Sequence, residues 1–279
     1  MSALFQVIQE EFETNLAALS AVVGTFSGPA TVSAKARVAA ANSVTLLLAA
    51  TFEEFTREMA RTYAKCVVAS CRGIDEIPHK LLAQAWKRSM DGLSKLQFDT
   101  PTKRQNSVNA IHTRYTDVFD FTNGDLSKDI YTTLIHNENN MRPSQINQLF
   151  AVSNLSNLCH LICNDKPLLE HFETHDQGAA HGALLRDLDE FMDRRNDVAH
   201  AIAMSSSSGP DQLMKDIDLF RCIGQAMANT LISIAPQPYA APEEVNLETS
   251  PTPQEVAEAP VGFTRRLINY ISGGQRSPN

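Results

Sequence analysis

Residues 33 to 71 read "SAKARVAAANSVTLLLAATFEEFTREMARTYAKCVVASC" and contain neither Pro nor Gly. Ala, Leu and charged residues follow one another almost without interruption, and such a run favours an unusually long α-helix. From Leu46 to Ala50 the sequence is apolar on nearly every side of this helix, which predicts a position at the centre of the core. The rest of the fold is expected to pack around it.

Apolar residues recur at helical spacing on both sides of this run. "GTFSGPATVS" interrupts the first such pattern with two Gly and a Pro. No stretch shows the alternation of a half-buried strand, so the predicted fold is an all-α helical bundle with long central helices. The further helices are predicted at residues 2–23, 79–94 and 106–121, from Pro143, and at residues 180–201 and 211–234.

The composition changes at Pro236. "PQPYAAPEEVNLETSPTPQEVAEAP" carries six Pro and several Glu but almost no large apolar residues. Such a segment can bury little apolar surface, so residues 236–262 are predicted to be a flexible linker that follows a helical domain at residues 1–235. A chain that ends near Ile234 is therefore expected to keep its fold.

Beyond the linker, "GFTRRLINYI" predicts a short amphipathic helix at residues 263–272, followed by a disordered tail at residues 273–279. Phe263 and Leu267 fall on one face of this helix, with the basic residues away from it. Two interpretations are open at this point. The segment is either a docking element for a protein partner or a cap that folds back onto its own domain.

The bulk composition describes a soluble protein. The chain has 279 residues, 43% of them hydrophobic and 20% charged, with a formal net charge of −8. This charge argues against broad coating of nucleic acid, although a local cationic site is still compatible with it. The N-terminus lacks a basic segment of the kind that secretion signals carry, and the apolar run at residues 44–52 is too short to span a membrane. We expect a cytoplasmic protein without membrane contact.

The five cysteines are Cys66, Cys71, Cys159, Cys163 and Cys222. An odd number in a chain without an export signal predicts reduced thiols. In "CHLIC", Cys159 and Cys163 stand one helical turn apart beside His160, but further ligands at compatible spacing are missing. We predict neither a metal nor a cofactor.

The segment "FMDRRNDVAHAI" at residues 191–202 is the strongest candidate for a chemical site. Asn196 and His200 lie four positions apart and share one face of a helix, whereas Arg195 and His200 are five apart, about 140° round. Arg195 and His200 can serve one site in three ways. The helix can loosen near His200, the long guanidinium can reach round the helix, or a second subunit can complete the site.

Arg together with His suits phosphoryl transfer on RNA. A neutral His can remove the proton of a ribose 2′-OH, and a guanidinium can stabilise the charge of the phosphorane that forms. Neither role requires a metal ion. The alternative is that these residues only cap helix carbonyls and contact solvent near the end of a helix.

"RRNDVAH" resembles the signature of HEPN domains, in which four to six residues separate Arg from His and a polar residue often follows the Arg. Similarly, "SVTLLLAATFEEFTREMA" resembles the long early helix of the RiboL-PSP-HEPN group, with Glu53 followed closely by an aromatic residue. "NMRPSQINQLF" is similar to the segment that joins the helical halves in that group. The resemblance covers roughly residues 35 to 235 in the same order.

The resemblance implies a homodimer in which two copies of the motif face each other in a composite cleft. Active members are metal-independent endoribonucleases that leave 2′,3′-cyclic phosphate ends, and many are toxins or antiviral effectors. By residue, it implies phosphate binding by Arg195, acid–base chemistry by His200 and a supporting role for Asn196. Glu53, which would position the Arg, and Arg194 are further supporting candidates. The interface is expected to include residues 184–200.

Two departures from the pattern concern the residues after His200. Ala201 stands where many such motifs have Gly, and Ile202 stands where toxins silenced by nucleotide addition carry Tyr, so control by that modification is not expected. Two other interpretations are a non-catalytic HEPN module that binds or dimerises to regulate a partner, and a structural helical domain whose partner binds residues 263–272.

Overall fold

The computed structural model describes residues 2–28, 33–136, 140–200 and 207–240. Within these ranges the chain forms ten α-helices, a 3-10 turn at Ile74–Glu76 and no strand, which confirms the all-α prediction. The helices are α1 (Ser2–Ser27), α2 (Ala34–Ala69), α3 (His79–Ser94), α4 (Pro101–Thr122), α5 (Tyr131–Leu134), α6 (Pro143–Ala151), α7 (Leu158–Ile162), α8 (Lys166–His171), α9 (Gln177–His200) and α10 (Pro210–Ile234).

The long helix α2 lies at the centre of this arrangement. The Ser33 side chain caps its first turn by accepting a hydrogen bond from the Ala36 N–H at 3.2 Å. Along its length α2 contacts α1, α10, α9, α6 and α5. The prediction from residues 33–71 is therefore confirmed for the helix and for its central place.

The stretch from Leu46 to Ala50 is not buried on every side. Leu48 and Ala49 are buried, whereas Leu46 is 37% and Leu47 is 55% exposed. The packed face of α2 covers one side of the helix at this level, and the described residues leave the other side open. The expectation of burial all round was wrong here, since an apolar run does not by itself show how many neighbours it has.

Helix α2 is also the one described helix that is long and apolar enough to cross a membrane, by length and composition alone. In its most apolar window, 44% of the residues are buried inside the protein. The core helix of a soluble protein passes the same test, and the packing of α2 against five other helices is consistent with that interpretation.

A row of aromatic rings joins four helices. Phe12 of α1 stacks on Phe55 of α2, with ring centroids 4.1 Å apart. One turn earlier on α2, Phe52 meets Phe220 of α10 at 4.5 Å, and Phe220 meets Phe191 of α9 edge to face at 4.7 Å. All five rings are buried, so this row fixes α9 and α10 relative to α2.

Several helix boundaries differ from the sequence predictions. Helix α1 continues through Gly24 to Ser27, because one Gly costs a helix only about 1 kcal/mol and the turns around it bury Val23 and Phe26. Helix α4 begins at Pro101 rather than at residue 106, where the Thr100 side chain accepts a hydrogen bond from the Lys103 N–H.

Helices α3 and α4 form a hairpin at the side of the bundle. Trp86, the only Trp, meets Tyr115 of α4 edge to face, and Tyr115 stacks on Phe119 at 5.7 Å. Among the described helices, α4 packs chiefly against α3. Its outer face is an exposed apolar stripe that consists of Val108, Ile111, Tyr115 and Phe119.

The described chain ends beside the C-terminus of α2. The Tyr239 N–H donates to the Ala69 carbonyl at 2.8 Å, and the Arg72 guanidinium lies 5.5 Å from the Tyr239 ring centroid. Residues 236–240, predicted as the start of the linker, are thus attached to the helical domain. The remaining linker, the helix at residues 263–272 and the tail at residues 273–279 lie outside the described residues.

The contact between α10 and the aromatic row predicts a specific effect on stability. A Cβ at Gly224 would come within 2.8 Å of the Phe12 ring and 3.6 Å of Phe55. We expect Gly224→Ala to lower the free energy of unfolding by about 1–3 kcal/mol through overpacking. Denaturant unfolding followed by circular dichroism measures this change.

The matched control for Gly224→Ala is Gly182→Ala on α9, where an added Cβ meets nothing within 4 Å. Here the better helix propensity of Ala should raise the free energy of unfolding by about 0.5–1 kcal/mol. If Gly224→Ala stabilised the protein as much as the control, the packing of Phe12 against α10 would be wrong.

Candidate functional site

The apolar stripe of α9 leads directly into the candidate residues. The core-facing residues of this helix are Ala180, Leu184, Leu188, Phe191 and Met192. One turn further on, Arg195 and Asn196 take the positions that follow Phe191 and Met192 on the same face. Both side chains are half-buried, because the helix geometry turns them towards the bundle.

Arg195 lies within electrostatic reach of Glu53 on α2. Burial raises the pKa of the Glu53 carboxyl above its ordinary value of 4.5, while the guanidinium groups of Arg195 and Arg57 act in the opposite direction. Arg57 forms a long ion pair with the same carboxyl group, with its Nη1 4.0 Å from Glu53 Oε2. Oε1 of Glu53 is buried without a hydrogen-bond partner in the described part of the chain.

Asn196 is held by a residue from a distant part of the sequence. Its Oδ1 accepts a hydrogen bond from Asn140 Nδ2 at 2.6 Å and another from Arg195 Nη1 at 3.3 Å. Asn140 comes just before α6, so this contact joins the start of α6 to the end of α9. The amide of Asn196 therefore has a fixed orientation next to the Arg195 guanidinium.

Arg142 explains why Asn140 lies there. It is the N-cap residue of α6, and its guanidinium pairs with two carboxylates one turn apart on α9. Nη1 of Arg142 is 3.0 Å from Asp189 Oδ1, and Nη2 donates to Asp193 Oδ1. This double ion pair, led by the bond to Asp193, raises the pKa of Arg142 and attaches the segment to α9.

Arg194 faces another part of the structure. Its Nη2 donates to Asp216 Oδ1 on α10 at 2.6 Å, and its guanidinium carbon lies 5.8 Å from the Phe191 ring centroid. Gln212 donates to the same carboxylate oxygen at 2.9 Å, whereas burial raises the pKa of Asp216. Arg194 therefore connects α9 to α10, and its guanidinium points away from Arg195 and Asn196.

His200 is the last residue of α9 and is exposed. The helix does not loosen before it, so the first of the three geometric options for bringing Arg195 and His200 together is removed. Two options remain for bringing Arg195 and His200 together: the long guanidinium reaches round the helix, or a second subunit completes the site. Residues 201–206, which include Ala201 and Ile202, lie outside the described ranges.

The burial of α9 corrects one part of the expected dimer interface. Leu188 and Phe191 are only 1% and 0% exposed, because they pack inside their own protomer against α10 and its neighbours. They cannot also form an interface with a second copy. A contact that involves residues 184–200 has to use the other faces of α9, near its C-terminal end.

The cysteines are free thiols, and the described ranges contain no group of three or more His, Cys, Asp or Glu residues that could hold a metal ion. Cys159 and Cys163 are buried, and burial raises the pKa of each thiol to about 12. Cys163 Sγ donates to the Cys159 carbonyl at 3.0 Å, and Cys159 Sγ lies 3.6 Å from the Pro143 carbonyl. "CHLIC" therefore forms a packed helix face.

An all-α domain with Arg, Asn and His at the end of its penultimate described helix defines the HEPN class of helical domains. The family model of RiboL-PSP-HEPN matches residues 11–233, which is most of the chain and nearly all of the helical domain. The protein belongs to the RiboL-PSP-HEPN family. Comparison with curated proteins and with solved structures gave no match.

Sequence reasoning missed Asn140 and Arg142 as parts of the site. "NMRPSQINQLF" was recognised as a joining segment, but its polar residues have no local pattern that distinguishes them from a turn. The one available signal was the acidic pair Asp189 and Asp193, which are four positions apart on α9 and form a suitable partner for a cation.

The raised pKa of Glu53 predicts a pH dependence of stability. Because the folded-state pKa exceeds the unfolded value, stability is lost as the pH rises past the unfolded value, and the loss is complete above the folded-state pKa. The free energy of unfolding of wild type relative to Glu53→Gln should fall as the pH rises above about 4.5 and then level off.

Urea unfolding of both proteins between about pH 4 and 8 measures this difference. Glu170→Gln, at an exposed glutamate of α8, is the control for unrelated pH effects. A relative stability that increased with pH would mean that attraction from Arg195 and Arg57 outweighs the burial of Glu53.

Proposed function

We propose that the protein is a metal-independent endoribonuclease that cleaves RNA by attack of the 2′-OH on the neighbouring phosphorus. His200 removes the 2′-OH proton, and the 2′-oxygen forms a bond to phosphorus. The bond from phosphorus to the 5′-oxygen breaks, and that oxygen takes up a proton as it leaves. The products are a 2′,3′-cyclic phosphate and a 5′-hydroxyl.

Arg195 stabilises the phosphorane in this mechanism. A guanidinium can donate two parallel hydrogen bonds to phosphate oxygens, and these bonds strengthen as negative charge develops in the transition state. Asn196 orients the Arg195 side chain, and Asn140 in turn holds Asn196. Glu53 keeps the guanidinium directed into the site through its charge, without a hydrogen bond that would compete with phosphate.

The observation that carries the proposal is the contrast between two adjacent arginines. Arg194 donates a hydrogen bond of 2.6 Å to the buried carboxylate of Asp216. Arg195 donates one hydrogen bond of 3.3 Å to a neutral amide, and none of the described carboxylates is hydrogen-bonded to it. A half-buried cation that is oriented but still available for an anion is what phosphate binding requires.

A dimer is part of the proposal. Because α9 remains helical through His200, Arg195 and His200 of one chain point about 140° apart, and a second copy can bring its own His200 to the first copy's Arg195. Two-fold symmetry then creates the site twice. In each site the His200 that took the 2′-OH proton can return it to the leaving 5′-oxygen.

In the cell this activity fits a toxin or antiviral effector, in the cytoplasm where its RNA substrate is found. Free RNA cleavage harms the host, so a neutralising partner or an activating signal is part of the same proposal. Residues 263–272 are the segment of the sequence that we propose for contact with a protein partner.

A non-catalytic HEPN module that regulates a partner protein is the second candidate. The exposed stripe of α4 favours it, because Val108, Tyr115 and Phe119 are each more than 40% exposed and lie along one helix face. Contiguous apolar surface of this kind is typical of protein interfaces. In this case Arg195 and Asn196 would bind rather than cleave.

The chemical mechanism predicts the effects of single substitutions. Arg195→Ala and His200→Ala should each lower RNA cleavage by about 10²-fold or more, because each removes a group that acts in the transition state. Asn196→Ala and Asn140→Ala should lower it less, since their role is orientation. Cleavage of a labelled RNA, with circular dichroism to verify folding, measures these effects.

The control is Arg186→Ala, an exposed arginine on the same helix, which should retain full activity. EDTA should have no effect, and a 2′-deoxy substitution at the cleaved position should stop the reaction because the nucleophile is absent. Cleavage of DNA, dependence on added Mg²⁺ or full activity of His200→Ala would reject the mechanism. Tight partner binding without any cleavage would favour the non-catalytic candidate.

The composite site predicts complementation between inactive variants. Mixing Arg195→Ala with His200→Ala under conditions of subunit exchange gives mixed dimers that contain one intact pair of residues. With random pairing, about a quarter of wild-type activity should return, since half of the dimers are mixed and each has one of two sites. No recovery from a mixture that light scattering shows to be dimeric would place the two residues in one subunit.

A further inference from the structure

A polar trough opens between α3, α4, α5 and α6, with a volume of about 680 Å³. We call it the α3–α6 trough. A smaller pocket of about 200 Å³ shares part of its lining and continues it towards Leu149. The polar lining of the trough includes Arg88, Lys95, Arg114, His136, Gln145 and Gln148.

The trough concentrates positive charge in a chain whose formal net charge is −8. Arg88 lies on α3, Lys95 is the C-cap residue that follows this helix, and Arg114 reaches the same space from α4. Asp91 is the one carboxylate in the described lining. Hydroxyl groups of Thr132 and Thr133 and the side-chain amides of α6 add neutral hydrogen-bonding groups, which suits phosphate oxygens.

Two of these cations have no partner among the described residues. Arg88 and Arg114 form no ion pair or hydrogen bond with any residue in the described ranges. Most arginines elsewhere in these ranges are paired with carboxylates, namely Arg57, Arg61, Arg72, Arg142, Arg186, Arg194 and Arg221. Unpaired guanidinium groups that line one concave surface are available to an anionic ligand.

Gly92 shows that Arg114 lies close to the backbone of α3. A Cβ at this position would come within 2.7 Å of Arg114 Nη1. The guanidinium therefore rests on the one residue of α3 that has no side chain. As a result, Arg114 lies along the same trough lining as Arg88 and Lys95, instead of extending into solvent from α4.

The trough is connected to the candidate active site through a short piece of chain. His136 lines the trough, and four residues later Asn140 contacts Asn196. Four residues span at most about 14 Å, which a nucleic-acid strand covers in about four nucleotides at a rise of 3.4 Å. Gln145 of the trough also lies in the same first turn of α6 that Arg142 attaches to α9.

From these observations we infer that the α3–α6 trough binds the phosphodiester backbone of single-stranded RNA a few nucleotides from the cleaved bond. The role of this strand as a substrate rests on the proposed function, whereas binding of the strand in the trough does not. The trough thereby supplies affinity for longer RNA without taking part in the chemistry.

Binding is tested with a fluorescent twelve-nucleotide RNA that is 2′-O-methylated throughout and so cannot be cleaved. Arg88→Ala/Arg114→Ala should weaken its binding about tenfold at 0.1 M salt, and the slope of log K against log[salt] should flatten by about 1.4, or 0.7 for each phosphate contact. Lys35→Ala/Arg37→Ala, on the first turn of α2, removes the same charge outside the trough and should change neither.

Gly92→Ala tests the geometry without a change of charge. The added methyl group displaces the flexible end of Arg114, so binding should weaken by less than in the double variant while the α3 helix is retained. If the trough variants bound the RNA as well as wild type does, or if the α2 control lost as much affinity as they did, the inference would be overturned.

Cleavage of two substrate lengths separates this inference from the proposed function. The trough variants should cleave a dinucleotide as wild type does but lose most of the advantage that wild type shows for a twelve-nucleotide RNA. Trough-dependent binding without cleavage of either substrate would reject the nuclease and leave the trough supported. Equal loss on both substrates would show that the trough acts on the fold or the active site, against the inference.

Discussion

The row of phenylalanine rings through α1, α2, α10 and α9 is the constraint on which the rest of the structure depends. Phe52 on α2 is linked to Phe191 on α9 through Phe220, and every ring in the row is buried. Glu53 is the next residue after Phe52, and Arg195 lies one turn after Phe191. Packing in the core therefore determines that a carboxylate and a guanidinium from distant parts of the sequence face each other above it.

Two carboxyl groups next to this core, those of Glu53 and Asp216, are subject to opposing effects of burial and of attraction by arginines. Burial raises the pKa values of Glu53 and Asp216, which means that desolvation outweighs the attraction of the nearby arginines at both carboxyl groups. Asp216 at least receives hydrogen bonds from Arg194 and Gln212. Glu53 has a much weaker set of contacts, and a buried charge with few partners is more typical of a functional site than of a stabilising one.

The sequence was sufficient where a helix was long enough to show its period. Helices α2, α3, α9 and α10 follow the predicted ranges closely, since each has four or more turns of apolar pattern. Helices α5, α7 and α8 have four to six residues, fewer than two turns, so no periodic signal can reveal them. The resemblance to the RiboL-PSP-HEPN group, which the matching family model confirms, also indicated that the helical segments follow one another in the same order as in that group.

For the candidate site, the sequence identified the residues of α9 and Glu53 but not the contacts between elements. Arg195, Asn196 and His200 were recognisable as a motif, and their chemical roles stay predictions. The pairing of Asn140 with Asn196 depends on the ion pairs of Arg142, which join residues about fifty positions apart. Local patterns contain no information about such a contact. The separate roles of Arg194 and Arg195 likewise follow from which helix each one faces.

The position of Trp86 has a practical consequence for studying this molecule. As the only Trp, it lies half-buried against Tyr115 in the α3–α4 hairpin, away from the phenylalanine row. Its intrinsic fluorescence therefore reports the hairpin, whereas far-ultraviolet circular dichroism reports all helices together. Because α4 packs chiefly against α3, the hairpin has few neighbours to hold it closed. Comparing the two optical signals during denaturation distinguishes local opening of the hairpin from cooperative melting of the bundle.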